Sequence, residues 1–406
     1  SKSIKLLKDD LTYFEGNKKI TQKAITNIKV IKSNEKFSLV ELNPITGRKH
    51  QLRKQLSLVG HPVYGDFKYT FEKKLKTKNK ELMLHSYKIK FIANNKKYCV
   101  VLDKKISNLH ENFFEELKSR NFSIFIIDSP EKQKNINTCL DVINFMQKEG
   151  FNRNDAVIGI GGGAVTDLAG FIASSYMRGI TYIQIPTSLL AQVDASVGGK
   201  TGVNHGNIKN FVGSFYNPSE ILICSEFLNS LNEQEFLNGF SEVLKHGLIT
   251  SQTTLAKIKN LAHKILDRDS DVLLELIEES IDIKSQIVKE DFREKGKRKF
   301  LNFGHTFAHG IESVNHDVPI LHGHAVLIGM LMALDYSKEL GFLGDDSYRN
   351  AKESIGEFDY DFTDIELNSE EIFEAMKSDK KNTKAINLIL LKEIGQPFVF
   401  EETSNS

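Results

Sequence analysis

Two histidines, His305 and His309, stand four residues apart in the stretch RKFLNFGHTFAHGIE, where apolar residues recur at helical spacing. Residues four apart lie above one another on a helix, so the two imidazoles are predicted to point into the same space. Neutral imidazole binds transition metals and titrates near neutral pH, so the pair could serve metal binding or proton transfer. A core histidine with a chance neighbour has the same spacing, and periodicity alone does not separate the two interpretations.

Charged residues among glycines point to anion binding. Glycines leave room that side chains would otherwise fill, while lysine and arginine bind anionic groups. The stretch MRGITYIQIPTSLLAQVDASVGGKTGVNHGNIKNFVGSF carries Arg178, Asp194, Lys200, Lys209 and Asn210, and later segments add Glu242, Lys245, Lys284, Arg298, Asn302 and His322. One carboxylate and two histidines from separate segments would form a His-His-Glu set, the three-ligand arrangement of an open catalytic zinc site.

A glycine turn lies upstream of this cluster. The stretch DAVIGIGGGAVTDLAGFIASSYM predicts a strand, a tight turn and a helix. Backbone amides at such a turn, together with the helix N-terminus, favour a pyrophosphate group. Gly159, Gly161 and Ala164 fit the loose form of the dinucleotide-binding fingerprint. A turn with a purely structural role is the alternative.

The elements that would position these residues begin at about Lys96. From there apolar strands alternate with helices, as in parallel α/β domains. YCVVLD and FSIFIID are predicted strands, and the intervening ISNLHENFFEELKSR is predicted to form one amphipathic helix.

Composition limits the class of protein. The chain has 406 residues, of which 40% are hydrophobic and 26% charged, an ordinary globular balance. No apolar run reaches the length of a membrane helix, and SKSIKLLKDD has no signal-peptide core. Cys99, Cys139 and Cys224 are odd in number and lack metal-type spacing, so we expect a reducing, cytoplasmic location.

Charge divides the chain into two parts. Through Tyr98 there are 23 lysines and arginines against 8 acidic residues, and the remainder has 31 against 45. A reversal of that size indicates segments with different partners, and the basic part has the charge of a nucleic-acid-binding segment. Lysine runs such as EKKLKTKNKE also occur in ordinary solvated loops, so charge alone does not establish contact with RNA.

The basic part reads as short strands of an antiparallel sheet, for example IKVIKS and KFSLVEL. Over most of residues 25–91 it resembles the C-terminal half of the catalytic domain of the large RNA pseudouridine synthase family. The matching residues are Thr46, Gly47, Arg48, His50, Gln51, Arg53, Gly65, Asp66, Lys68, Tyr69, Leu84 and His85. The family's nucleophilic aspartate, in an Arg-Leu-Asp motif, has no counterpart here, since Asp9 and Asp10 lie in LLKDDLTYF. The resemblance therefore implies an inactive, truncated α+β remnant over 1–95, with residual RNA binding through Arg48 and Arg53.

The second part resembles the 3-dehydroquinate synthase family from about Cys99 to SDKKNTKAINLILLKEIG. The resemblance implies a NAD-binding α/β domain over 96–225 and a mostly α-helical metal- and substrate-binding domain over 226–406. It makes Glu242, His305 and His322 the zinc ligands, with cobalt as a possible substitute. It places NAD against Asp103, Glu131, Lys134, Gly162, Gly163, Asp167, Thr187, Ser188, Lys200, Lys209 and Leu231. It assigns the substrate to Arg178, Asp194, Lys200, Asn210, Lys245, Lys284, Arg298, Asn302, His309 and one of Lys380 or Lys381.

The resemblance also implies an activity and an assembly. The family converts 3-deoxy-D-arabino-heptulosonate 7-phosphate to 3-dehydroquinate and phosphate in the shikimate pathway, by NAD-dependent oxidation, phosphate elimination, reduction and aldol cyclisation. Arg178 would reach the site of a neighbouring subunit, which implies a homodimer. Two alternatives stay open, namely another sugar-phosphate cyclase and an RNA-binding fusion protein with an inert cyclase half.

Some positions depart from the family pattern. Ser188 and Ser230 replace threonines but keep the hydroxyl, and His324 replaces a glutamate and could compete weakly as a metal ligand. The family's first strand and helix are replaced by the pseudouridine synthase-like segment. We therefore expect the nucleotide-binding sheet to lack its usual first strand and NAD binding to be weakened.

Overall fold

The chain forms two compact units, 1–92 and 93–406. The structure, a computed structural model, describes residues 6–15, 18–33, 38–46, 51–59, 96–120, 122–206, 208–315, 320–362, 365, 367–378 and 386–402. No helix in these described ranges is both long enough and apolar enough to cross a lipid bilayer.

The first unit contains the predicted antiparallel sheet. Its strands are β1 (Leu6–Glu15), β2 (Lys18–Ser33) and β3 (Ser38–Pro44), in that spatial order, and a helix, α1 (Gln51–Leu58), follows them. The strands at IKVIKS and KFSLVEL are therefore confirmed. Asp9 and Asp10 lie in β1.

Several residues of the pseudouridine synthase-like motif join α1 to the sheet through hydrogen bonds. Thr46 Oγ1 donates to Gln51 Oε1 at 2.8 Å and accepts from the Ile25 amide at 2.8 Å. Gln51 Nε2 donates to Thr26 Oγ1 at 2.8 Å, and the Thr26 hydroxyl donates to Gln55 Oε1 at 2.6 Å. These bonds satisfy polar groups that are buried, so Thr46 and Gln51 have a structural role in this unit. Gly47, Arg48, His50, Gly65, Asp66, Lys68, Tyr69, Leu84 and His85 lie outside the described residues.

The second unit begins with a five-stranded parallel sheet. In chain order its strands are β4 (Tyr98–Asp103), β5 (Ser123–Ile127), β6 (Ala156–Gly161), β7 (Thr181–Pro186) and β10 (Glu220–Ile221), and their spatial order is β10-β7-β6-β4-β5. Its helices are α2 (Lys104–Leu109), α3 (Glu111–Ser119), α4 (Pro130–Gln133), α5 (Ile136–Lys148) and α6 (Gly163–Ser175). The hairpin β8 (Lys200–His205) and β9 (Ile208–Phe215) completes this part.

The single helix predicted for ISNLHENFFEELKSR is wrong, because α2 ends at Leu109 and α3 begins at Glu111. His110 between them has non-helical backbone angles (φ −126°, ψ 56°). Its imidazole Nε2 lies 3.0 Å from Ser230 Oγ, and its ring packs edge-on against Phe227. This contact with a distant segment accompanies a break that the local periodicity does not signal.

The glycine turn brings α6 very close to β6. A Cβ atom on Gly159 would lie 2.8 Å from Ala169 Cβ, and one on Gly161 would lie 2.8 Å from Val165 Cβ. These two glycines therefore serve close helix–strand packing. The predicted strand, turn and helix are confirmed.

The remainder is mostly helical and is built around a large apolar core. The helices are α7 (Glu233–Thr250), α8 (Gln252–Asn260), α9 (Ala262–Leu266), α10 (Ser270–Glu290), α11 (His305–Val314), α12 (His322–Glu339), α13 (Asp345–Gly356) and α14 (Ser369–Ser378). The antiparallel hairpin β11 (Ile386–Leu391) and β12 (Pro397–Glu402) packs beside them. Phe240, Leu244, Ile311, Leu327 and Leu390 belong to this core, so α7, α11, α12 and β11 hold one another in place. That arrangement positions the polar residues carried by α7, α11 and α12.

Candidate metal and substrate site

Helix α7 passes through the core and carries polar side chains in its buried centre. Its start is capped by Asn232, whose side chain accepts a hydrogen bond from the Glu235 amide at 2.8 Å. Glu242, Lys245 and His246 lie in its middle and are almost completely buried. Burying a carboxylate is costly unless a counter-charge or a metal ion compensates for it.

The two histidines that face Glu242 are each the first residue of a helix, His305 of α11 and His322 of α12. Gly304 precedes His305 with φ +80°, a conformation that favours glycine. Gly323 follows His322 at a point where a Cβ atom would lie only 1.8 Å from the Asn238 carbonyl oxygen. This close approach brings the start of α12 against α7, which carries Glu242.

The three predicted metal ligands converge. One ligand atom each from Glu242, His305 and His322 lies within 4.8 Å of the other two. The ring centroids of His305 and His322 are 5.4 Å apart, and those of His305 and His309 are 6.2 Å apart. His305 and His309 thus share a helix face, as their spacing predicts.

The surroundings of the three side chains fit a divalent cation. Glu242 is 0% exposed, and neither of its oxygens accepts a hydrogen bond from a described residue, although Lys245 forms an ion pair with it. The His305 ring and the potential ligand atoms of Asp194 and His246 also lie close to this carboxylate. His305 Nδ1 lies 3.3 Å from the Phe303 carbonyl, and His322 Nδ1 lies 3.3 Å from Glu312 Oε1. With Nδ1 as the donor, each Nε2 keeps a lone pair, the state in which imidazole binds a metal.

The pKa values of His305 and His322 shift in opposite directions. Burial, together with the nearby Lys245 charge, lowers the pKa of His305 well below its usual value and keeps the ring neutral. Burial alone would also lower the pKa of His322, but the hydrogen bond and charge of Glu312 outweigh it and raise that pKa. The pKa of Glu312 is lowered, because its bond to His322 outweighs the effect of its burial.

Cationic side chains lie beside the three ligands. Lys284 Nζ is 2.7 Å from Asp194 Oδ1, and it also donates to the Asp194 backbone carbonyl at 2.7 Å. Arg298 is buried, with Nη2 donating to the Gly198 carbonyl at 3.2 Å and Nη1 to the Phe292 carbonyl at 2.5 Å. Together with Lys245, these groups supply the positive charge that an anionic substrate needs.

Two further sets of predicted residues are joined by hydrogen bonds. Lys134 Nζ donates to Asp167 Oδ2 at 2.7 Å and to Asn210 Oδ1 at 2.6 Å, so predicted cofactor and substrate positions meet. Burial raises the pKa of Asp167, an effect that Lys134 opposes. Asn302 Nδ2 donates to Glu294 Oε1 at 2.6 Å, and Lys200 pairs with the other oxygen of Glu294.

Some of the remaining predicted cofactor positions lie at the ends of the parallel strands, such as Gly162 after β6 and Thr187 after β7. Gly162 precedes α6 without a side-chain cap, and a Cβ atom on Gly162 or Gly163 would approach other atoms no closer than 3.4 Å. Asp103 is the last residue of β4 and accepts a hydrogen bond from the Lys105 amide at 2.9 Å, and burial raises its pKa. Two of the other positions contact side chains: Glu131 accepts a hydrogen bond from Asn204, and Lys209 forms an ion pair with Glu312. The Thr187 amide donates to the Gly161 carbonyl, and Ser188 Oγ accepts from the Ala191 amide. The Leu231 carbonyl accepts a hydrogen bond from Arg268.

Two of the described predicted residues, Arg178 and His324, do not join this group of contacts. Arg178 is exposed, with a left-handed backbone at φ +68°. Lys380 and Lys381 lie outside the described residues. His324 packs edge-on against Tyr360 and belongs to neither group of potential metal ligands found in the part of the chain that the structure describes.

Sequence reasoning missed three residues at the site, namely His246, Glu294 and Glu312. His246 lies one turn after Glu242, and a ligand atom of its ring is within 4.8 Å of Asp194 and Glu242. Among the described residues neither of its ring nitrogens has a hydrogen-bond partner, and burial, reinforced by Lys245, lowers its pKa to about 3. The i to i+4 spacing from Glu242 is a signal that could have found His246. Glu294 has no comparable signal in its own segment.

Comparison with protein families assigns the two parts of the chain differently. A family model described as 3-dehydroquinate synthase N-terminal matches residues 124–238, and one described as 3-dehydroquinate synthase C-terminal matches residues 239–382. A model described as RNA pseudouridylate synthase matches residues 1–58. That last match begins before the range inferred from the sequence motifs and ends before GHPVYGDFKY.

Individual relatives agree with this assignment. The chain is 36% identical over 315 residues to 3-dehydroquinate synthase from Clostridium tetani, covering 77% of this chain and 83% of that protein. Among solved structures, 2-epi-5-epi-valiolone synthase from Streptomyces hygroscopicus with NAD+ and Zn2+ bound aligns with a TM-score of 0.70 at 23% identity, covering 80% of this chain and 96% of the other. A 2-deoxy-scyllo-inosose synthase complexed with carbaglucose-6-phosphate, NAD+ and Co2+ aligns with a TM-score of 0.68 at 22% identity, covering 76% and 88%. At these identities the two structures establish the fold alone.

Proposed function

The chain belongs to the 3-dehydroquinate synthase family, and we propose that it converts 3-deoxy-D-arabino-heptulosonate 7-phosphate to 3-dehydroquinate and phosphate. The observation that carries the proposal is the convergence of Glu242, His305 and His322 beside the cations Lys245 and Lys284. A metal site next to buried positive charge suits a substrate that presents a hydroxyl to a metal and carries both carboxylate and phosphate.

The site would hold two cofactors. Glu242, His305 and His322 would ligate Zn2+ or Co2+, and the uncapped start of α6 at Gly162 and Gly163 would face the pyrophosphate of NAD. When bound, the metal would polarise a substrate hydroxyl and NAD+ would accept its hydride. Oxidation of that carbinol acidifies the neighbouring C–H bond, so that phosphate can leave by elimination. Return of the same hydride would then restore the carbinol, and ring opening followed by an aldol closure would form the carbocycle.

The protein's own side chains would bind and orient the substrate. Lys245, Lys284 and Arg298 would neutralise its carboxylate and phosphate, with Asn302 donating a hydrogen bond. Asp194 holds Lys284 in place, and the neutral ring of His305 is free of a competing proton. His309, one turn after His305, would contact the substrate.

A homodimer completes the proposal. Arg178 is exposed and held in a left-handed backbone conformation, which is consistent with a side chain that serves a neighbouring subunit. Cys99, Cys139 and Cys224 are free thiols, which is consistent with the reducing conditions of a cytoplasmic location.

The first unit is proposed to be an inactive remnant. Uridine isomerisation needs a nucleophilic carboxylate, and no Arg-Leu-Asp motif occurs before Thr46. Thr46 and Gln51 are occupied by hydrogen bonds that join α1 to the sheet. Arg53 is the described residue of this motif that could support residual RNA binding.

The test is phosphate release from the heptulosonate phosphate with and without added NAD+, with product identified as 3-dehydroquinate by mass spectrometry. The proposal expects NAD-dependent release of one phosphate for each dehydroquinate formed. The comparison substrate is a sugar phosphate without the carboxylate. Preferential cyclisation of that substrate would identify another sugar-phosphate cyclase. Absence of turnover in a metal-loaded protein that binds RNA in a salt-sensitive manner would instead favour the RNA-binding alternative.

A further inference from the structure

We propose that Glu312 is a positioning residue that orients the metal ligand His322 and makes metal affinity depend on Lys209 in hairpin strand β9. The inference rests on the metal site of the proposed function. It adds to that site a residue outside the ligand set and a connection to the hairpin.

The geometry places one carboxylate oxygen between two cationic or proton-donating groups. Glu312 Oε1 lies 3.3 Å from His322 Nδ1 and 3.5 Å from Lys209 Nζ. Glu312 is on α11, seven residues after His305, while His322 begins α12 and Lys209 lies in β9. Three separate segments therefore meet at a single oxygen atom.

Contact with this oxygen has a defined effect on His322. A carboxylate that accepts from Nδ1 fixes the tautomer in which Nε2 carries the lone pair, and it fixes the ring plane. It also increases the electron density that the ring gives to a metal, so loss of such a partner weakens metal binding. Glu312 is 16% exposed at its side chain, which limits the competition from water for this contact.

Lys209 acts on the same oxygen from the solvent side. Its side chain is 65% exposed, so the ion pair by itself contributes little to stability. Its positive charge nevertheless withdraws electron density from the Glu312 carboxylate, which is the hydrogen-bond acceptor for His322. Without the lysine charge, the Glu312 carboxylate should be a stronger hydrogen-bond acceptor for His322, and metal binding should become tighter.

The experiment is a calorimetric titration of the chelator-treated full chain with Zn2+, in the absence of NAD. Glu312→Gln retains the size of the side chain but removes its charge, and it should weaken Zn2+ binding by about 10- to 100-fold. Glu279→Gln is the matched control, because Glu279 pairs with Lys257 on α8 and should leave Zn2+ affinity unchanged. Lys209→Met should tighten Zn2+ binding, and this gain should vanish in the double variant with Glu312→Gln.

A second measurement excludes a merely structural role for Glu312. The visible spectrum of the Co2+-loaded protein should change in Glu312→Gln, because the orientation of one ligand changes, while the melting temperature of the metal-free protein should not. Unchanged Zn2+ affinity in Glu312→Gln would overturn the positioning role, and a Lys209→Met effect that persists in the double variant would overturn the coupling. If the wild-type chain itself binds no Zn2+, the metal site of the proposed function fails instead.

Discussion

The Lys284 ammonium lies 2.7 Å from the Asp194 carboxylate and bonds at the same distance to the Asp194 backbone carbonyl. The two contacts attach α10 to the short π-helical turn at Ala191–Ala195. The side chains are 9% and 25% exposed, so solvent screens the pair only in part. Asp194 therefore holds Lys284, a predicted substrate-binding residue, in place, and Lys284 in turn compensates the charge of Asp194.

Removing the lysine should leave Asp194 insufficiently compensated. Lys284→Met is expected to lower the free energy of unfolding by about 3 kcal/mol, near the lower end for loss of one partner from a buried pair. Urea unfolding at pH 7, followed by circular dichroism, measures the loss. Lys297→Met is the control, because its pair with Glu290 is exposed and should leave the unfolding midpoint unchanged.

The same pair predicts a pH dependence. Burial by itself would raise the pKa of Asp194, but the charges of Lys284 and Lys245 hold it below its usual value. A depressed carboxyl pKa contributes stability that is fully present above the unfolded value of about 3.9 and is lost as the pH falls towards the folded value. Asp194→Asn should therefore unfold with a weaker pH dependence than the wild type below about pH 4. Equal slopes for the two proteins would contradict this assignment.

The candidate metal ligand His305 can be distinguished experimentally from His309, its neighbour on the same helix. His305→Ala removes one of three converging ligands, so bound zinc and turnover should both fall to background while the fold is kept. His309→Ala is the matched variant, since it should retain zinc and lose turnover through weaker substrate contact. Metal content, measured by mass spectrometry after dialysis, distinguishes the two variants. Full zinc occupancy in His305→Ala would refute the ligand assignment.

Gly323 determines how closely the start of α12 approaches α7. A methyl group there would meet the Asn238 carbonyl carbon at 2.7 Å as well as its oxygen, so the helices must move apart. Gly323→Ala should cost about 1–3 kcal/mol of stability, as overpacking does, and should weaken Zn2+ binding because His322 moves with α12. Gly356→Ala at the end of α13 is the control, since a methyl group there meets nothing within 4 Å. Undiminished Zn2+ affinity in Gly323→Ala would show that His322 tolerates the movement.

The sequence was most informative where a pattern is local. YCVVLD forms a strand with those bounds, and the strand, turn and helix around Gly161 follow the predicted order. The helix break at His110 was missed, because its contacts are with Ser230 and Phe227, more than a hundred positions away. Periodicity carries no information about such contacts.

One part of the candidate site can likewise be predicted from local spacing, and the other part depends on tertiary packing. Helical spacing indicates that His305 and His309 share a face, but only tertiary packing at Gly304 and Gly323 brings His305 and His322 to Glu242. Glu312 was passed over because its contact is with His322, which lies at the start of another helix.

The first unit is predicted to have no uridine-isomerising activity. Since no Arg-Leu-Asp motif precedes Thr46, the chain should release no tritium from 5-tritiated uridine in ribosomal RNA. Release above background that copurifies with the chain would contradict the assignment as a remnant. An active pseudouridine synthase assayed on the same RNA serves as the positive control.

The final prediction concerns NAD affinity. Among the described residues β5 forms one edge of the parallel sheet. The predicted cofactor position Asp103 is the last residue of β4, and Glu131 follows β5. The resemblance predicts that the first unit replaces the family's first strand and helix, and on that prediction we expect zinc and substrate binding near the family norm but weaker NAD binding. Each tenfold loss of affinity corresponds to about 1.4 kcal/mol of missing contacts.

A graft tests this expectation directly. Replacing residues 1–96 with a family-type first strand and helix should tighten NAD binding, measured by calorimetry on both proteins, while Zn2+ affinity serves as the internal control. If the graft leaves the NAD dissociation constant unchanged, the expectation that a missing first strand weakens NAD binding is wrong. The segment SYKIKFI, which the sequence offers as an alternative source of this strand, lies outside the described residues.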